Sequence, residues 1–346
     1  MNDTIALLGV PLVIQISRHI SVRPTVLFIA LAFGISIGSV MTPIGNPQNL
    51  LIAIKSNISL PFLTFVKWMF IPTLVNLIIN YFILKKYFKH LKIPDKVILC
   101  EKDRVIGTVN NNNDEKLLST NAITNPHLAK ISIIILLLTI GGFVISEILQ
   151  FLLHIAYFSI GVIAVLGSTT LYAFSSERRK LLYEVNYSVL IFFAAMFVFT
   201  YALWTSGLIS DIVTHLPNPV ANHDKNNNYN NLVNLIRNNV IISINSITLS
   251  QILSNVPFVA IYSNVMLNNG FNAYNVSEWM MLAAASTIAG NLTIFGAASN
   301  IIIIEGAESR SVKAFTYLEF LKIGSVVTAI NITIYFLFTT FLFVSL

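Results

Sequence analysis

Two eight-residue stretches carry the residue types from which a ligand site inside an apolar protein can be built. Thr42-Pro43-Ile44-Gly45-Asn46-Pro47-Gln48-Asn49 and Thr293-Ile294-Phe295-Gly296-Ala297-Ala298-Ser299-Asn300 both read T-x-x-G-x-x-x-N. Upstream, Ser36-Ile37-Gly38-Ser39 aligns with Thr287-Ile288-Ala289-Gly290. Pro43, Gly45 and Pro47 interrupt the hydrophobic stretch 25–54. Proline removes a backbone donor and glycine loosens the chain, so a helix breaks there. Freed carbonyls, the Thr42 hydroxyl and the Asn46 and Asn49 amides can then ligate a cation, while the N-terminus of the resumed half-helix attracts an anion. The octet alone is a weak pattern. Its force comes from two copies at matched spacing: Asn2 to Asn49 is 47 residues and Asn255 to Asn300 is 45. Asn2 with Asp3, and Ser254 with Asn255, each open a short apolar run ahead of an octet.

Elements that could hold such sites follow from composition. Of 346 residues, 55% are hydrophobic and 10% charged, at a mean hydropathy of +0.75. Soluble domains carry about 25% charged residues, so this chain cannot cover a globule in water. A soluble enzyme, a nucleic-acid-binding domain and a disulfide-stapled secreted module are excluded. The single cysteine, Cys100, allows no internal disulfide and no thiolate metal cluster. Apolar runs predict seven crossings of the ~20 residues a bilayer needs: 25–54, 61–84, 131–149, 156–174, 186–206, 279–305 and 318–345. Two further runs are too short or too broken to cross. These are 5–17 and 239–267, the latter interrupted by Ser254-Asn255-Val256-Pro257, and both read as re-entrant segments. The polar stretches 85–129 and 217–238 read as solvated loops.

Charge orients these crossings. Arg18 and Arg23, the nine basic residues from Lys85 to Lys130, Arg178 to Lys180, and Arg310 with Lys313 fall on one side, 16 of the 21 basic residues. Lys55, Lys67, Lys225 and Arg237 fall on the other. The basic side is cytoplasmic by the positive-inside rule. Loops 85–129 and 175–185 are then inside and the C-terminus outside. Trp68, Trp204 and Trp279 lie towards the poorly charged side, as an interfacial belt would. The two re-entrant segments enter from opposite sides, which is what an inverted repeat requires. The organisation expected is therefore 1–84 as the later part of a first repeat, 85–129 as a cytoplasmic linker, and 130–346 as a complete second repeat.

Together these residues resemble the ion transporter superfamily, specifically the arsenite-pump and citrate-transporter-like permeases, relatives of the divalent anion:sodium symporters. The resemblance covers essentially the whole chain. It rests on Asn2-Asp3-Thr4 with Pro11-Leu12-Val13, both octets, Ser254-Asn255-Val256-Pro257, Ala289-Gly290-Asn291-Leu292-Thr293, and Glu319 to Gly324. It implies an all-α polytopic membrane protein, an inverted-repeat secondary transporter with re-entrant hairpins and discontinuous helices. It also implies that substrate and ion are held at Asn2, Asp3, Gly45, Asn46, Ser254, Asn255, Gly296 and Ala297. Thr42, Asn49, Thr293 and Asn300 complete the candidate set from the octets themselves. Dicarboxylate carriers of the superfamily favour Ser-Asn-Thr at both tips. This chain reads Met1-Asn2-Asp3 and Ser254-Asn255-Val256, which weakens a di- or tricarboxylate as substrate.

The functional expectation is secondary transport of a small inorganic or organic anion coupled to Na⁺ or H⁺, with Asp3 binding the coupling ion. Alternatives are a Na⁺/H⁺ antiporter, an arsenite or antimonite efflux permease, and a non-functional truncated fragment. The last arises because 125 residues of the second repeat (130–254) precede Asn255 while one residue precedes Asn2. By that symmetry about three spans and one hairpin arm lie outside this sequence, which reads as a fragment, a misplaced start or half of a split gene. The expected surroundings are the plasma membrane bilayer, a second copy in a homodimer and a separately encoded N-terminal half, with no nucleic acid. No organic cofactor is expected, and no metal beyond Na⁺ at the same loops. Glu147, Glu184, Asp211 and Glu305 lie near predicted span ends, where solvation explains them, with Glu305 also placed for a gating or proton path. The six histidines show no metal spacing. No zincin, nucleophile-elbow or P-loop motif occurs, so an enzyme is disfavoured.

Overall fold

The computed structural model describes residues 2–20, 22–89, 126–153, 159–175, 178–184, 187–207, 217–220 and 228–342. Most of the 85–129 linker, with Cys100 and His90, lies outside these residues, as do His154, Asp211, His215, His223 and Lys225.

Every described regular element is helical, as an all-α polytopic membrane protein requires. The helices are α1 (Asn2–Ile20), α2 (Pro24–Ser39), α3 (Pro47–Lys55), α4 (Pro61–Lys89), α5 (Pro126–Leu153), α6 (Ile160–Phe174), α7 (Arg178–Glu184) and α8 (Tyr187–Thr205), followed by α9 (Asn228–Leu253), α10 (Asn255–Asn268), α11 (Val276–Ala289), α12 (Ala298–Glu308) and α13 (Tyr317–Leu337). Pro24, Pro47, Pro61 and Pro126 each stand at a first helical position, where the missing N–H costs nothing. By length and composition, Pro61–Phe88, Leu128–Leu153 and Tyr317–Phe341 are long and apolar enough to cross a membrane. The stretch 25–54 divides into α2 and α3, and 279–305 into α11 and α12, with their breaks on the octets.

Part of the expected loop 217–238 is helical. α9 begins at Asn228, because Leu232, Val233, Leu235 and Ile236 continue its apolar pattern towards 239–253. Asn238 anchors this extension, accepting from the Val220 N–H at 3.2 Å and donating to the Val220 carbonyl at 3.1 Å.

The chain forms two compact units. Unit 2, residues 92–192, centres on the α5–α6 pair. A methyl group on Gly167 would stand 2.3 Å from the Thr139 hydroxyl, and one on Gly142 would stand 3.2 Å from Ile163. Small residues thus let the two helices close on each other, as they do in bilayers. Glu147 is buried here, unlike the solvated span end expected for it. Glu305, by contrast, is exposed.

Unit 1, residues 1–91 and 193–346, holds both octets around α11. Residues Ser277 to Ala289 of α11 are all buried, so this helix is surrounded by protein. Its Ala283-Ala284-Ala285 run lets α9, α13 and α2 approach closely. Trp279 is fully buried and donates its indole N–H to the Asn272 carbonyl at 3.0 Å. It therefore belongs to the core and not to an interfacial belt. Reciprocal packing completes the unit: α1 lies on α12 while α10 lies on α3.

Candidate functional site

At the first octet α2 stops at Ser39, and α3 restarts at Pro47. Asn46 is extended and caps α3, its side-chain oxygen accepting the Asn49 N–H at 2.8 Å. Such a cap satisfies one of the orphaned donors of the new helix. Asn49 donates to the carbonyls of Ser39 (3.1 Å), Val40 (3.3 Å) and Thr42 (3.2 Å). Gly45 N–H reaches the Thr42 carbonyl at 3.1 Å. A methyl group on Gly45 would stand 2.1 Å from the Ser39 carbonyl oxygen, so no other residue fits this fold of the loop. The Asn2 N–H donates to the Gly45 carbonyl at 3.1 Å, which brings the start of α1, with buried Asp3 in its first turn, against the loop. An acidic residue there complements the helix N-terminus.

The second octet repeats the construction. Asn300 donates to the carbonyls of Gly290 (2.9 Å) and Thr293 (3.3 Å), and Gly296 N–H to that of Thr293 at 3.1 Å. Asn49 and Asn300 are thus matching staples that neutralise carbonyls freed by the breaks, and their amide nitrogens face the backbone. The Asn300 oxygen remains open. The α9–α10 tip lies on this loop. Gln251 accepts from the Thr293 hydroxyl at 2.7 Å and donates to the Ala289 carbonyl at 2.8 Å. A methyl on Gly290 would stand 2.9 Å from both the Asn255 amide nitrogen and Ala297. Ser254 separates α9 from α10 at φ 66°, ψ 160°, a conformation held almost only by glycine. That strain marks the tip as a place the surrounding structure forces into shape.

One side chain ties the first loop to α11, the helix that runs into the second loop. The Thr287 hydroxyl, near the end of α11, accepts from Asn46 (3.2 Å) and Gln48 (3.4 Å), approaches the Asn49 oxygen (3.5 Å), and donates to the Ala283 carbonyl (2.7 Å). Asn46 also reaches the Ser39 hydroxyl at 3.1 Å. The structure therefore brings Asn2, Asp3, Thr42, Gly45, Asn46 and Asn49 into one cluster. Ser254, Asn255, Thr293, Gly296, Ala297 and Asn300 form a second cluster, and Thr287 stands between them. Helices α1, α3, α10 and α12 all begin here. Several buried polar atoms at the second loop find no partner among the described residues: the Asn255 and Asn300 oxygens, both polar atoms of Asn291, and the Ser299 hydroxyl. At the first loop the Ser36 hydroxyl is similarly open. Among the described residues, no three His, Cys, Asp or Glu side chains gather as a metal site would need.

The family model for the citrate transporters matches residues 1–274. The chain belongs to the citrate transporter family. An uncharacterized transporter of Mycobacterium bovis is 24% identical over 339 residues, covering 96% of this chain and 71% of the relative. A 46 kDa membrane protein of Mycobacterium leprae is likewise 24% identical, with the same coverage. A silicon efflux transporter of Oryza sativa subsp. japonica is 27% identical over 381 residues, covering 96% of this chain and 74% of the relative. The protein is an integral membrane transporter of this family.

Residues absent from the sequence-derived set are Ser39, Gln48, Gln251, Thr287 and Asn291. Thr287, Ser39 and Asn291 sit in or beside the aligned upstream quartets, and that alignment was the available signal. Gln48 lies inside its octet, while Gln251 had no signal beyond standing three residues before the tip. Lys55, at the end of α3, is a further one. Its ammonium donates to the Ala260 carbonyl (2.8 Å) and the Asn264 oxygen (2.7 Å) of α10.

Proposed function

We propose that the protein is a secondary active transporter, not an enzyme, moving a small anion across the plasma membrane in exchange for energy stored in a Na⁺ or H⁺ gradient. The observation that carries this reading is the start of four helices, α1, α3, α10 and α12, at two buried polar loops. Helix N-termini favour negative charge, and broken helices at such loops hold ions in transporters. Open oxygens of Asn255, Asn291, Ser299 and Asn300 suit a Na⁺ ion bound beside the anion, and Asp3 suits a proton or Na⁺. In this reading Asn46, Asn49, Thr293 and Asn300 chiefly shape the loops, and the remaining candidates face the cargo. The topology keeps the basic loops 85–129 and 175–185 inside and the C-terminus outside. Residues 1–84 form the later part of the first repeat, and 130–346 the second.

Uptake into proteoliposomes under imposed Na⁺ or pH gradients tests the proposal, with sulfate, arsenite and carboxylates as cargo. Gradient-dependent accumulation of one of them is expected. It should fall at least several-fold in Asn46→Ala and Asn255→Ala, and Asp3→Asn should change the gradient dependence. Transport unchanged by the first two variants overturns the site.

A second reading, arsenite or antimonite efflux, draws on the silicon efflux relative and on the neutral side chains that line the second loop. Outward movement of arsenite without carboxylate uptake would favour it.

A further inference from the structure

α4 and α13 pack against each other, and the faces that meet carry polar residues in matching register. Along α4 these are Thr73, Asn76 and Asn80; along α13 they are Thr328, Asn331 and Tyr335. Residues three, four and seven apart share a helix face, so each set forms one stripe. All six are buried, Asn76, Asn331 and Tyr335 completely. Thr73 and Tyr335 join their hydroxyls at 2.8 Å, which fixes the register of the stripes. Asn76 stands beside the same hydroxyl without meeting it in hydrogen-bond geometry.

Six polar atoms in these stripes have no partner among the described residues: both of Asn76, both of Asn331, the Asn80 oxygen and the Thr328 hydroxyl. An unpaired buried polar group costs about 1–3 kcal/mol, and bilayer surroundings offer no relief. Such a set is stable only with something hydrogen-bonded to it. Both donors and acceptors are open, and no charged residue belongs to either stripe. A bare cation would satisfy the oxygens and leave the amide nitrogens facing its charge. A hydroxyl-bearing neutral molecule satisfies both.

The α13 stripe continues to Gly324, one turn before Thr328. A methyl there would stand 2.1 Å from the Asn291 carbonyl oxygen. Asn291 belongs to the second broken loop and has two open side-chain atoms of its own.

We propose that the seam between α4 and α13 is a second polar site, occupied by neutral hydroxyl-bearing molecules, either water or a small uncharged hydroxylated solute, and leading to Asn291 of the second loop. This goes beyond the transport reading and does not depend on which cargo is carried.

Radiolytic hydroxyl-radical footprinting of the purified full chain tests it, because buried rings are labelled when bound water stands beside them. Tyr335 should be oxidised at a rate approaching that of exposed Tyr274, and several-fold faster than Tyr262, which is buried and bonded to Asn245. Asn331→Leu and the near-isosteric Thr328→Val should each slow Tyr335 labelling several-fold. Boric acid separates the two sources. A saturable rise in melting temperature that Asn331→Leu abolishes identifies a solute site, and fast labelling without such a rise identifies water. Tyr335 labelled no faster than Tyr262 overturns the proposal, and so does fast labelling that both variants leave unchanged.

Discussion

Replacing Thr287 by valine keeps the shape of the side chain and removes the hydroxyl that ties the first loop to α11. In the native protein that hydroxyl accepts from Asn46 and Gln48. Asn46 retains the Ser39 hydroxyl at 3.1 Å and the Ser39 carbonyl at 3.4 Å, so its loss is partial. Gln48 is almost completely buried, and among the described residues its amide nitrogen donates to the Thr287 hydroxyl alone. The dominant cost is thus one orphaned buried amide, about 1–3 kcal/mol. Unfolding of the purified protein in detergent should register that loss, while Thr287→Ser, which keeps the hydroxyl, should cost less. Gln48→Leu in the Thr287→Val background removes the orphaned group. The double variant should then be more stable than the sum of the singles by ~1 kcal/mol or more, a coupling typical of residues in one network. Proteoliposome uptake should fall with Thr287→Val, because the first loop loses its tie to α11. Additive stability losses for Thr287 and Gln48, with uptake at the native level, would refute the reasoning.

Gly45→Ala should prevent accumulation of folded protein, since the new methyl would overlap the Ser39 carbonyl. Gly34→Ala, in open space within α2, should be neutral or stabilising by up to about 1 kcal/mol. Yield and melting temperature separate the two. Ser254→Gly should relieve backbone strain of ~1–3 kcal/mol, less the entropy glycine adds to the unfolded chain, for a net gain near 1 kcal/mol. Its unfolding midpoint should rise while uptake falls, as the tip loses its imposed shape. Lys55→Met should lower stability by roughly 1–3 kcal/mol, partial exposure reducing what two charge-assisted bonds would otherwise contribute. Asn264→Leu should add less in that background than alone, and full additivity would show that the α3–α10 contact does not depend on the ammonium.

Both helix breaks were legible because Pro43, Gly45 and Pro47 are poor helix residues in an apolar run, and the second octet is recognisable only beside the first. The staples were visible as asparagines but their direction was not. Type and spacing place Asn49 at the loop, and only the fold decides whether its amide meets backbone or ligand. Thr287 was hidden for a different reason. One threonine inside a helix is ordinary, and its value comes from Gln48, 239 residues away in the chain. The α4–α13 stripes were hidden likewise, since an asparagine inside a span has no sequence mark for whether its neighbour satisfies it. Trp279 misled because its position near a span end suits a lipid headgroup as well as a core. Asn228 to Asn238 misled through asparagine content, which masked the apolar residues that extend α9.

The reciprocal packing of α1 on α12 and α10 on α3 also sets a timetable for biogenesis. Asn46 waits for Thr287, 241 residues later, and Lys55 for Asn264, 209 residues later. At a synthesis rate of about 5–20 residues per second, the first loop is made roughly 10–50 s before its partners exist. During that interval its polar atoms must be sheltered by the insertion machinery or by water at the membrane surface. Substitutions at the later partners should therefore be felt first by quality control on nascent chains, before any cargo is moved.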